Sequence, residues 1–413
     1  MTPITRAHLE RLDGDVVLAG ARAEFVLPEG VVYLGGNSLG ALPRHAAGRV
    51  RATVEVEWGQ GLVGSWNRAG WFDKPTVVGD RLARLVGADA GEVLATDSTS
   101  INLFKTLAAA LALRPGRTAI VAETSSFPTD LYMLEGLADL LGGYERRLVD
   151  SESDLREALD DNVAVVLVNH VDYRLGRLQD MAGLTEAAHR HGVLTVWDLC
   201  HSAGALPVRL NECGADFAVG CTYKYLNGGP GSPAFLYAAK RHQEQARQPL
   251  SGWFGHAEPF TFVTGYAPSE GIRRFGTGTP PILSYVPLEA SLDIWEKVDL
   301  GAIRAKSLEL TDLFMELVAE RCGEFGVEVA SPRDPDSRGS QVSVRHKESY
   351  AIMRALIDRE VIGDFRAPDM MRFGFTPLYT RYTDVWDAVE TLHDVLATES
   401  WRDPRFAIRA TVT

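Results

Sequence analysis

An aspartate and a lysine stand at the ends of two apolar segments that resemble buried strands. Asp198 lies in the segment VLTVWDL, and Lys224 follows FAVGCTY, 26 positions further along the chain. In a parallel sheet both strand ends lie at one edge, so the two side chains can come close together. A lysine amine for a Schiff base and a carboxylate that keeps a pyridine nitrogen protonated are what pyridoxal phosphate requires. The pair predicts a pyridoxal phosphate site, although the spacing by itself is also compatible with coincidence.

Neighbouring segments supply further groups of the right kind. Ser98 and Thr99 begin a helical pattern that runs to about Leu113, and the free amides and dipole of a helix N-terminus bind anions such as a cofactor phosphate. An ordinary N-cap is the alternative interpretation. Phe127 follows another strand, where its ring could stack on a pyridine or fill the core. Tyr223, next to the lysine, could reach the phosphate or relay a proton.

Three glycines follow the lysine, and they permit backbone conformations that other residues avoid. These residues, Gly228, Gly229 and Gly231, suit a tight loop around a cofactor. The chain has neither G-x-G-x-x-G after a strand nor G-x-x-x-x-G-K-[ST], so NAD and ATP are not predicted.

The chemistry-bearing residues lie in an alternating pattern of strands and helices between Glu92 and Ala238, which is typical of βαβ units around a mainly parallel sheet. The seven predicted strands are EVLAT, TAIVAE, ERRLVD, VAVVLVNHV, VLTVWDL, FAVGCTY and PAFLYA. Amphipathic segments such as Leu131–Leu141 and Leu184–Arg190 predict helices between them.

The pattern changes after Pro281 to a long helical stretch, followed by short strands and two more helices. We predict an N-terminal segment at 1–40 containing the strand VVYLGG, a large α/β domain at 41–285 beginning with a helix from about Pro43 to Trp58, and a smaller α+β domain at 286–413.

Composition limits the classes of function. The chain has 413 residues, of which 46% are hydrophobic, and a net charge of −13 that would repel nucleic acid. No apolar run reaches the length of a membrane span and the N-terminus lacks a signal-peptide layout, so a cytoplasmic protein without a membrane partner is expected. No metal site is predicted, because the cysteines lack metal-ligand spacing and are expected to be reduced. They are Cys200, Cys213, Cys221 and Cys322.

Longer motifs occur in a fixed order along nearly the whole chain. They are GNSLG, WNRAGW, DSTSINLFK, FPTDLY, WDLCHSAG, GCTYKYLNGGPGS, PLSGWFGH and MRFGFTPLY. With these motifs the chain resembles the kynureninase family, in particular its bacterial members, within fold type I of the pyridoxal phosphate enzymes.

The resemblance implies a role for each matching residue. Lys224 would bind pyridoxal 5'-phosphate covalently and move the substrate proton, with Asp198 and Tyr223 as its catalytic partners. Further cofactor contacts would come from Ser98, Thr99, Phe127, Asp130, His201, Trp253 and Thr279. Substrate contacts would come from Arg372, which matches the arginine that binds the α-carboxylate, and from Asn37, Trp66, Gly278 and Thr279.

The implied reaction belongs to tryptophan catabolism. It is hydrolytic cleavage of the Cβ–Cγ bond of L-kynurenine to anthranilate and L-alanine, in a homodimer whose active site lies at the subunit interface and receives Trp253 from the partner. Trp66, Gly278 and Thr279 resemble the bacterial branch, so L-kynurenine is expected to be preferred over 3-hydroxykynurenine. The chain departs from the usual family pattern at Gly35, Asp172 and Cys200, where aspartate, asparagine and alanine are common.

Other functions remain open at this point. A class V aminotransferase would need an acceptor such as pyruvate or 2-oxoglutarate. A cysteine desulfurase would need a mobile cysteine, and Cys200, Cys221 and Cys322 lie in segments that do not suggest one. A catalytically silent pyridoxal-binding regulator is disfavoured, since every chemical position holds a competent residue type.

Overall fold

A computed structural model describes residues 4–15, 18 and 20–409, so the ends of the predicted segments 1–40 and 286–413 lie partly outside the described residues. The helices are α1 Arg6–Asp15, α2 Ala46–Ala52, α3 Ser65–Arg68, α4 Lys74–Leu85, α5 Thr99–Ala112, α6 Pro128–Leu141, α7 Glu152–Glu157, α8 Met181–Arg190, α9 Lys240–Gln243, α10 Ile282–Trp295, α11 Leu300–Arg321, α12 Ser349–Ile357 and α13 Tyr382–Ala397. The strands are β1 Phe25–Val26, β2 Val32–Tyr33, β3 Leu42–Pro43, β4 Val93–Ala95, β5 Ala119–Glu123, β6 Glu145–Val149, β7 Val163–Asn169, β8 Leu194–Asp198, β9 Phe217–Gly220, β10 Phe235–Ala238, β11 Glu328–Val329, β12 Gln341–Arg345, β13 Val361–Ile362, β14 Asp364–Arg366 and β15 Met370–Gly374.

The large sheet has seven strands in the order β4-β10-β9-β8-β7-β5-β6. All seven segments predicted as strands form it. The sheet is mainly parallel, as predicted, and only β10 runs antiparallel to both of its neighbours. Strands β5, β7, β8, β9 and β10 are buried along their whole length because helices cover both faces.

Capping side chains fix where two of the helices begin. Ser98 caps α5 by accepting a hydrogen bond from the amide of Ile101 at 3.4 Å. Past Pro281 the predicted single helical stretch is two helices, α10 and α11. They separate because Asp299 accepts a hydrogen bond from the amide of Ala302 at 2.8 Å and so starts a new helix. The helix predicted from Pro43 to Trp58 is α2 continued by a π-helix over Thr53–Trp58.

The second sheet is antiparallel, in the order β11-β12-β15-β14, and it packs with α11, α12 and α13 around its own core. Helix α10 instead packs against α2 and α4, and the predicted boundary between 285 and 286 falls inside it. The N-terminal segment contributes to both cores: Leu9 and Leu34 join the second, while Leu18 and Phe25 join the first. It therefore connects the two lobes and brings β2 against β13.

Two features are absent from the described residues, 4–15, 18 and 20–409. No helix there combines the length and apolarity needed to cross a bilayer. No cluster of three or more His, Cys, Asp or Glu side chains in that part of the chain is arranged to hold a metal ion.

Candidate active site

The carboxyl ends of the parallel strands surround a cavity of about 180 Å³. Asn169 ends β7 and lies opposite Asp198 at the end of β8. Seven residues expected at the cofactor line this cavity together: Thr99, Phe127, Asp130, Asp198, His201, Tyr223 and Lys224. The strand-end argument thus brings the predicted aspartate and lysine into one site.

The lysine amine has one close polar neighbour. Lys224 Nζ lies 3.0 Å from His201 Nε2, and it is 5.9 Å from the centre of the Phe127 ring. Burial, followed by the charge of Lys224, lowers the pKa of His201 well below its usual value. His201 is therefore neutral near pH 7 and accepts a hydrogen bond from the lysine through Nε2. Its Nδ1 is buried without a hydrogen-bond partner, so this site has an unsatisfied polar atom.

Two buried carboxyl groups share one amide. Asn169 Nδ2 donates to Asp130 Oδ2 at 2.7 Å and to Asp198 Oδ2 at 3.0 Å, while the amide of Cys200 donates to Asp198 Oδ1 at 2.7 Å. Burial and the nearby Asp198 carboxylate raise the pKa of Asp130 well above its usual range. The neutral form of Asp130 is thereby favoured, while Asp198 accepts hydrogen bonds from the side chain of Asn169 and the amide of Cys200.

The N-terminus of α5 forms another wall of the cavity through Thr99 and Ser100. Below it, the buried Lys105 donates to Asp97 Oδ2 at 2.7 Å and to the carbonyl of Phe275 at 2.8 Å. Asp97 has a φ of +48°, a conformation that few non-glycine residues adopt. The ion pair holds the turn that presents the free amides of the helix N-terminus to the cavity.

The predicted carboxylate-binding arginine, Arg372, lies on β15 next to the cavity rather than among its lining residues. Its Nε and Nη2 donate to the two oxygens of Asp364, each at 2.6 Å, and its Nη1 donates to the carbonyl of Tyr173. Tyr173 itself lines the cavity, edge-on to Phe127 at 5.1 Å. The arginine therefore connects the second sheet to the cavity wall.

Asn37 belongs to the same contact between lobes. Its Nδ2 donates to Gln341 Oε1 at 3.0 Å, and its Oδ1 is buried without a partner. Gln341 in turn donates to the carbonyl of Tyr173 at 3.1 Å. Asn37 thus acts on the cavity through a shared network, without lining it.

Four other expected residues lie apart from the cavity lining within one chain. Trp66 and Trp253 contact each other, with ring centres 6.3 Å apart, in a surface cluster that includes Phe72 and Phe260. Gly278 and Thr279 are exposed, and the amide of Phe254 bonds the carbonyl of the adjacent Thr277 at 3.3 Å. Sequence reasoning expected all four at the cofactor or substrate, and a single chain does not bring them there.

Some cavity residues were not identified from the sequence, notably Asn169 and Tyr173. Asn169 ends the strand adjacent to that of Asp198, so the same strand-end rule would have found it. Tyr173 gave no such signal, since it lies in a loop. Asp172, one of the family departures, shapes that loop by accepting hydrogen bonds from the amides of Arg174 at 3.0 Å and Leu175 at 2.5 Å.

The residues present fit pyridoxal phosphate. Lys224 offers an amine, Asp198 a buried carboxylate, and α5 a helix N-terminus for the phosphate, while Phe127 provides an aromatic wall and His201 Nδ1 a polar atom in need of a partner.

Solved structures share this architecture. A mutant of the cystine C-S lyase C-DES with glycine covalently linked to its PLP cofactor matches with a TM-score of 0.78 at 17% identity, covering 90% of this chain and 99% of that one. An apo cysteine desulfurase from Thermococcus onnurineus matches with a TM-score of 0.75 at 19% identity, covering 96% of this chain and 100% of that one. The fold is therefore fold type I, the fold of these pyridoxal phosphate enzymes, and the cavity residues are of the types that such a cofactor needs.

Sequence relatives narrow the class to one family. Kynureninase from Burkholderia pseudomallei is 55% identical over 414 residues, covering 99% of this chain and 100% of that protein. Kynureninase from Pseudomonas fluorescens is 52% identical over the same length and coverage. A family model described as the kynureninase C-terminal domain matches residues 303–392. The chain belongs to the kynureninase family, which decides against the aminotransferase and desulfurase alternatives.

Proposed function

We propose that this chain hydrolyses the Cβ–Cγ bond of L-kynurenine to release anthranilate and L-alanine. The observation that carries the proposal is the cavity in which Lys224, a neutral His201 and Asp198 meet. The purified enzyme with pyridoxal phosphate should form anthranilate, measured by its fluorescence, in a 1:1 ratio with alanine and without any keto-acid acceptor. Product formation that depended on pyruvate or 2-oxoglutarate would instead identify an aminotransferase.

When bound, pyridoxal phosphate supplies an electron-accepting ring that stabilises negative charge on the substrate's α-carbon. Asp198 would hold a proton on the ring nitrogen, because its carboxyl group lines the cavity and is fixed by hydrogen bonds from Asn169 and the amide of Cys200. Lys224 removes the proton at the substrate's α-carbon and returns it later, and His201 Nε2 orients its amine.

The remaining groups bind and orient the cofactor. The amides at the start of α5, with the Ser98 and Thr99 hydroxyls, would hold the phosphate. The ring of Phe127 would provide an aromatic wall for the pyridine. Tyr223, which lies beside Lys224 in the cavity, contacts the phosphate or relays a proton.

Arg372 binds the α-carboxylate, and Asp364 fixes the plane of its guanidinium. Although burial opposes it, the bonds from Arg372 lower the pKa of Asp364 below its usual value. Asp364 therefore stays ionised at the pH of catalysis and holds Arg372 Nη1 towards the cavity. Asn37 supports this arrangement through Gln341.

The active protein is a homodimer with its sites at the subunit interface. Support comes from exposed apolar side chains, which can mark protein–protein contacts when they cluster. The rings of Trp253 and Phe260 lie 6.1 Å apart and those of Phe260 and Phe262 lie 6.5 Å apart. Further exposed apolar side chains are Trp58, Leu62, Val63 and Val263. Trp253, Gly278 and Thr279 would then complete the cavity of the partner subunit.

The free thiols agree with a cytoplasmic location.

Mixing two variants tests the shared site. Lys224→Ala and Trp253→Ala should each have low activity, but subunits exchanged at a 1:1 ratio should regain roughly a quarter of wild-type activity, because half the dimers then contain one intact site. Size-exclusion chromatography with light scattering checks that dimers form. If the mixture showed only the average activity of the two variants, Trp253 would act within its own chain.

Preference for L-kynurenine over its 3-hydroxy form is the finer part of the proposal. Trp66 and Gly278 offer few polar partners to a ring hydroxyl, and an unpaired buried hydroxyl costs about 1–3 kcal/mol, or roughly ten- to a hundredfold in specificity. Comparison of kcat/KM for the two substrates is the measurement, with Trp66→His as a variant that should narrow the ratio. Equal values for the wild-type enzyme would contradict the preference without affecting the assignment of the cofactor.

A further inference from the structure

A second arginine lies on the same face of the small sheet as Arg372. Asp364 and Arg366 are two residues apart on the edge strand β14, so their side chains point to one face. Asp364 is paired in register with Arg372, which places all three side chains on that face. The face is directed towards the cavity, since Arg372 reaches the carbonyl of Tyr173.

Most hydrogen-bonding positions of Arg372 are already used. Asp364 takes the fork formed by Nε and Nη2, the carbonyl of Tyr173 accepts from Nη1, and Ser38 Oγ accepts from Nη2 at 3.3 Å. A guanidinium has five N–H donors in a fixed plane, so Arg372 cannot offer a second free fork without breaking these bonds.

Arg366 is held much more loosely. Its Nη2 lies 3.5 Å from Asp364 Oδ2, its Nη1 donates to the carbonyl of its neighbour Phe365, and its side chain remains 35% exposed. Two guanidinium groups therefore share the single carboxylate of Asp364, which leaves one uncompensated positive charge. Burial, and then repulsion from Arg372, lower the pKa of Arg366.

The uncompensated charge lies close to the reacting groups. Arg366 is near enough to the cavity for its charge to contribute, after burial, Lys224 and Arg372, to the lowered pKa of His201, and it also interacts with Tyr173. An anion bound between Arg366 and Nη1 of Arg372 would neutralise this site and gain a charge-assisted hydrogen bond from each.

We propose that Arg366 is a second binding residue for the α-carboxylate of the substrate, acting together with Arg372. The inference rests on the proposed function, because it takes the cavity beside Lys224 as the substrate site. Arg366 thereby adds to the selection of amino-acid substrates with a free carboxylate, while Arg372, held in place by Asp364, contributes a hydrogen bond through Nη1.

Two matched inhibitors of the holoenzyme test this binding role of Arg366 independently of catalysis. The first is 4-(2-aminophenyl)-4-oxobutanoate, which keeps the carboxylate and the aromatic amine of L-kynurenine but lacks the α-amine that reacts with the cofactor. The second is its primary amide. Wild-type enzyme should bind the acid more tightly than the amide. Arg366→Gln should weaken binding of the acid by about ten- to a hundredfold, with little change for the amide, and should raise KM for L-kynurenine more than it lowers kcat.

Arg345→Gln is the matched control. Arg345 is exposed and lies on β12 in the same sheet. Like Arg366, it is paired in register with Met370. This control removes the same charge and should leave both inhibition constants unchanged. Arg366→Lys should recover part of the affinity for the acid. Melting temperatures report folding, and Arg366→Met serves if the glutamine variant does not fold.

An unchanged acid-to-amide ratio in a folded Arg366 variant would overturn the proposal. So would a fall in kcat with KM unaltered. A wild-type enzyme that formed no anthranilate and bound neither inhibitor would instead contradict the proposed function. Failure of the Arg366 proposal and failure of the proposed function are therefore distinguishable.

Discussion

Lys224→Ala should abolish turnover and also remove the visible absorption of the bound cofactor. The substitution deletes both the covalent attachment and the group that moves the substrate's proton, and a positioned general base alone contributes about 10²- to 10⁴-fold. The cavity lining offers no replacement of the same type, because its other basic side chain, His201, cannot form a Schiff base and its lowered pKa makes it a weak proton acceptor. We expect a loss of at least ~10⁴-fold in kcat, measured by anthranilate fluorescence.

Borohydride reduction of the native holoenzyme supplies an independent control. The cofactor should be trapped on Lys224, which peptide mass spectrometry can verify. Lys105 is the informative competitor, since it belongs to α5, whose N-terminus faces the cavity, but it is fully buried in an ion pair with Asp97. Labelling of Lys105, or of any lysine other than Lys224, would show the cofactor assignment to be wrong.

The sequence contained enough information for the large sheet and the centre of the site. Buried strands with apolar residues on both faces are recognisable without an alignment, and all seven predicted segments form strands of one sheet. Because parallel strands end at a common edge, the positions of Asp198 and Lys224 followed from the strand assignment alone. The Ser98 cap was equally local, since a hydroxyl side chain at the start of a helical pattern acts on amides a few residues away.

Long-range contacts between lobes could not be read in the same way. Asp364 reaches Ser38, 326 residues earlier, and Arg372 reaches Tyr173, 199 residues earlier, so no local pattern links them. The split between α10 and α11 was missed because helical periodicity continues across it, and only the cap at Asp299 marks the break. Trp66 and Trp253 pack against each other away from the cavity lining, and no local pattern in the sequence indicates that placement.

Asp198 and Asp130 both accept a hydrogen bond from the side-chain amide of Asn169. The Asp198→Ala variant therefore also changes the environment of Asp130. Without Asp198, Asp130 loses the neighbour whose charge helps to raise its pKa, so Asp130 ionises more readily and retains the hydrogen bond from Asn169. Part of the electrostatic support for a protonated ring nitrogen can then come from Asp130. The effects of the two carboxyl groups should therefore be coupled rather than additive.

We expect Asp198→Ala to fold, to bind the cofactor, and to lower kcat by roughly 10²- to 10³-fold, the size typical for removal of one preorganised electrostatic group. Asp198→Glu should be milder, because it keeps the charge. Asp130→Asn alone should have a smaller effect, since the raised pKa of Asp130 favours its neutral form, which asparagine resembles. Adding Asp130→Asn to Asp198→Ala should lower kcat by a larger factor than it does in the wild-type background. Single-turnover rates and the absorption spectrum of the bound cofactor measure these differences in a double-mutant cycle. Its four enzymes are the wild type, Asp198→Ala, Asp130→Asn and the double variant. Wild-type turnover in Asp198→Ala would mean that this carboxylate is structural, and strictly additive effects would separate Asp130 from the ring nitrogen.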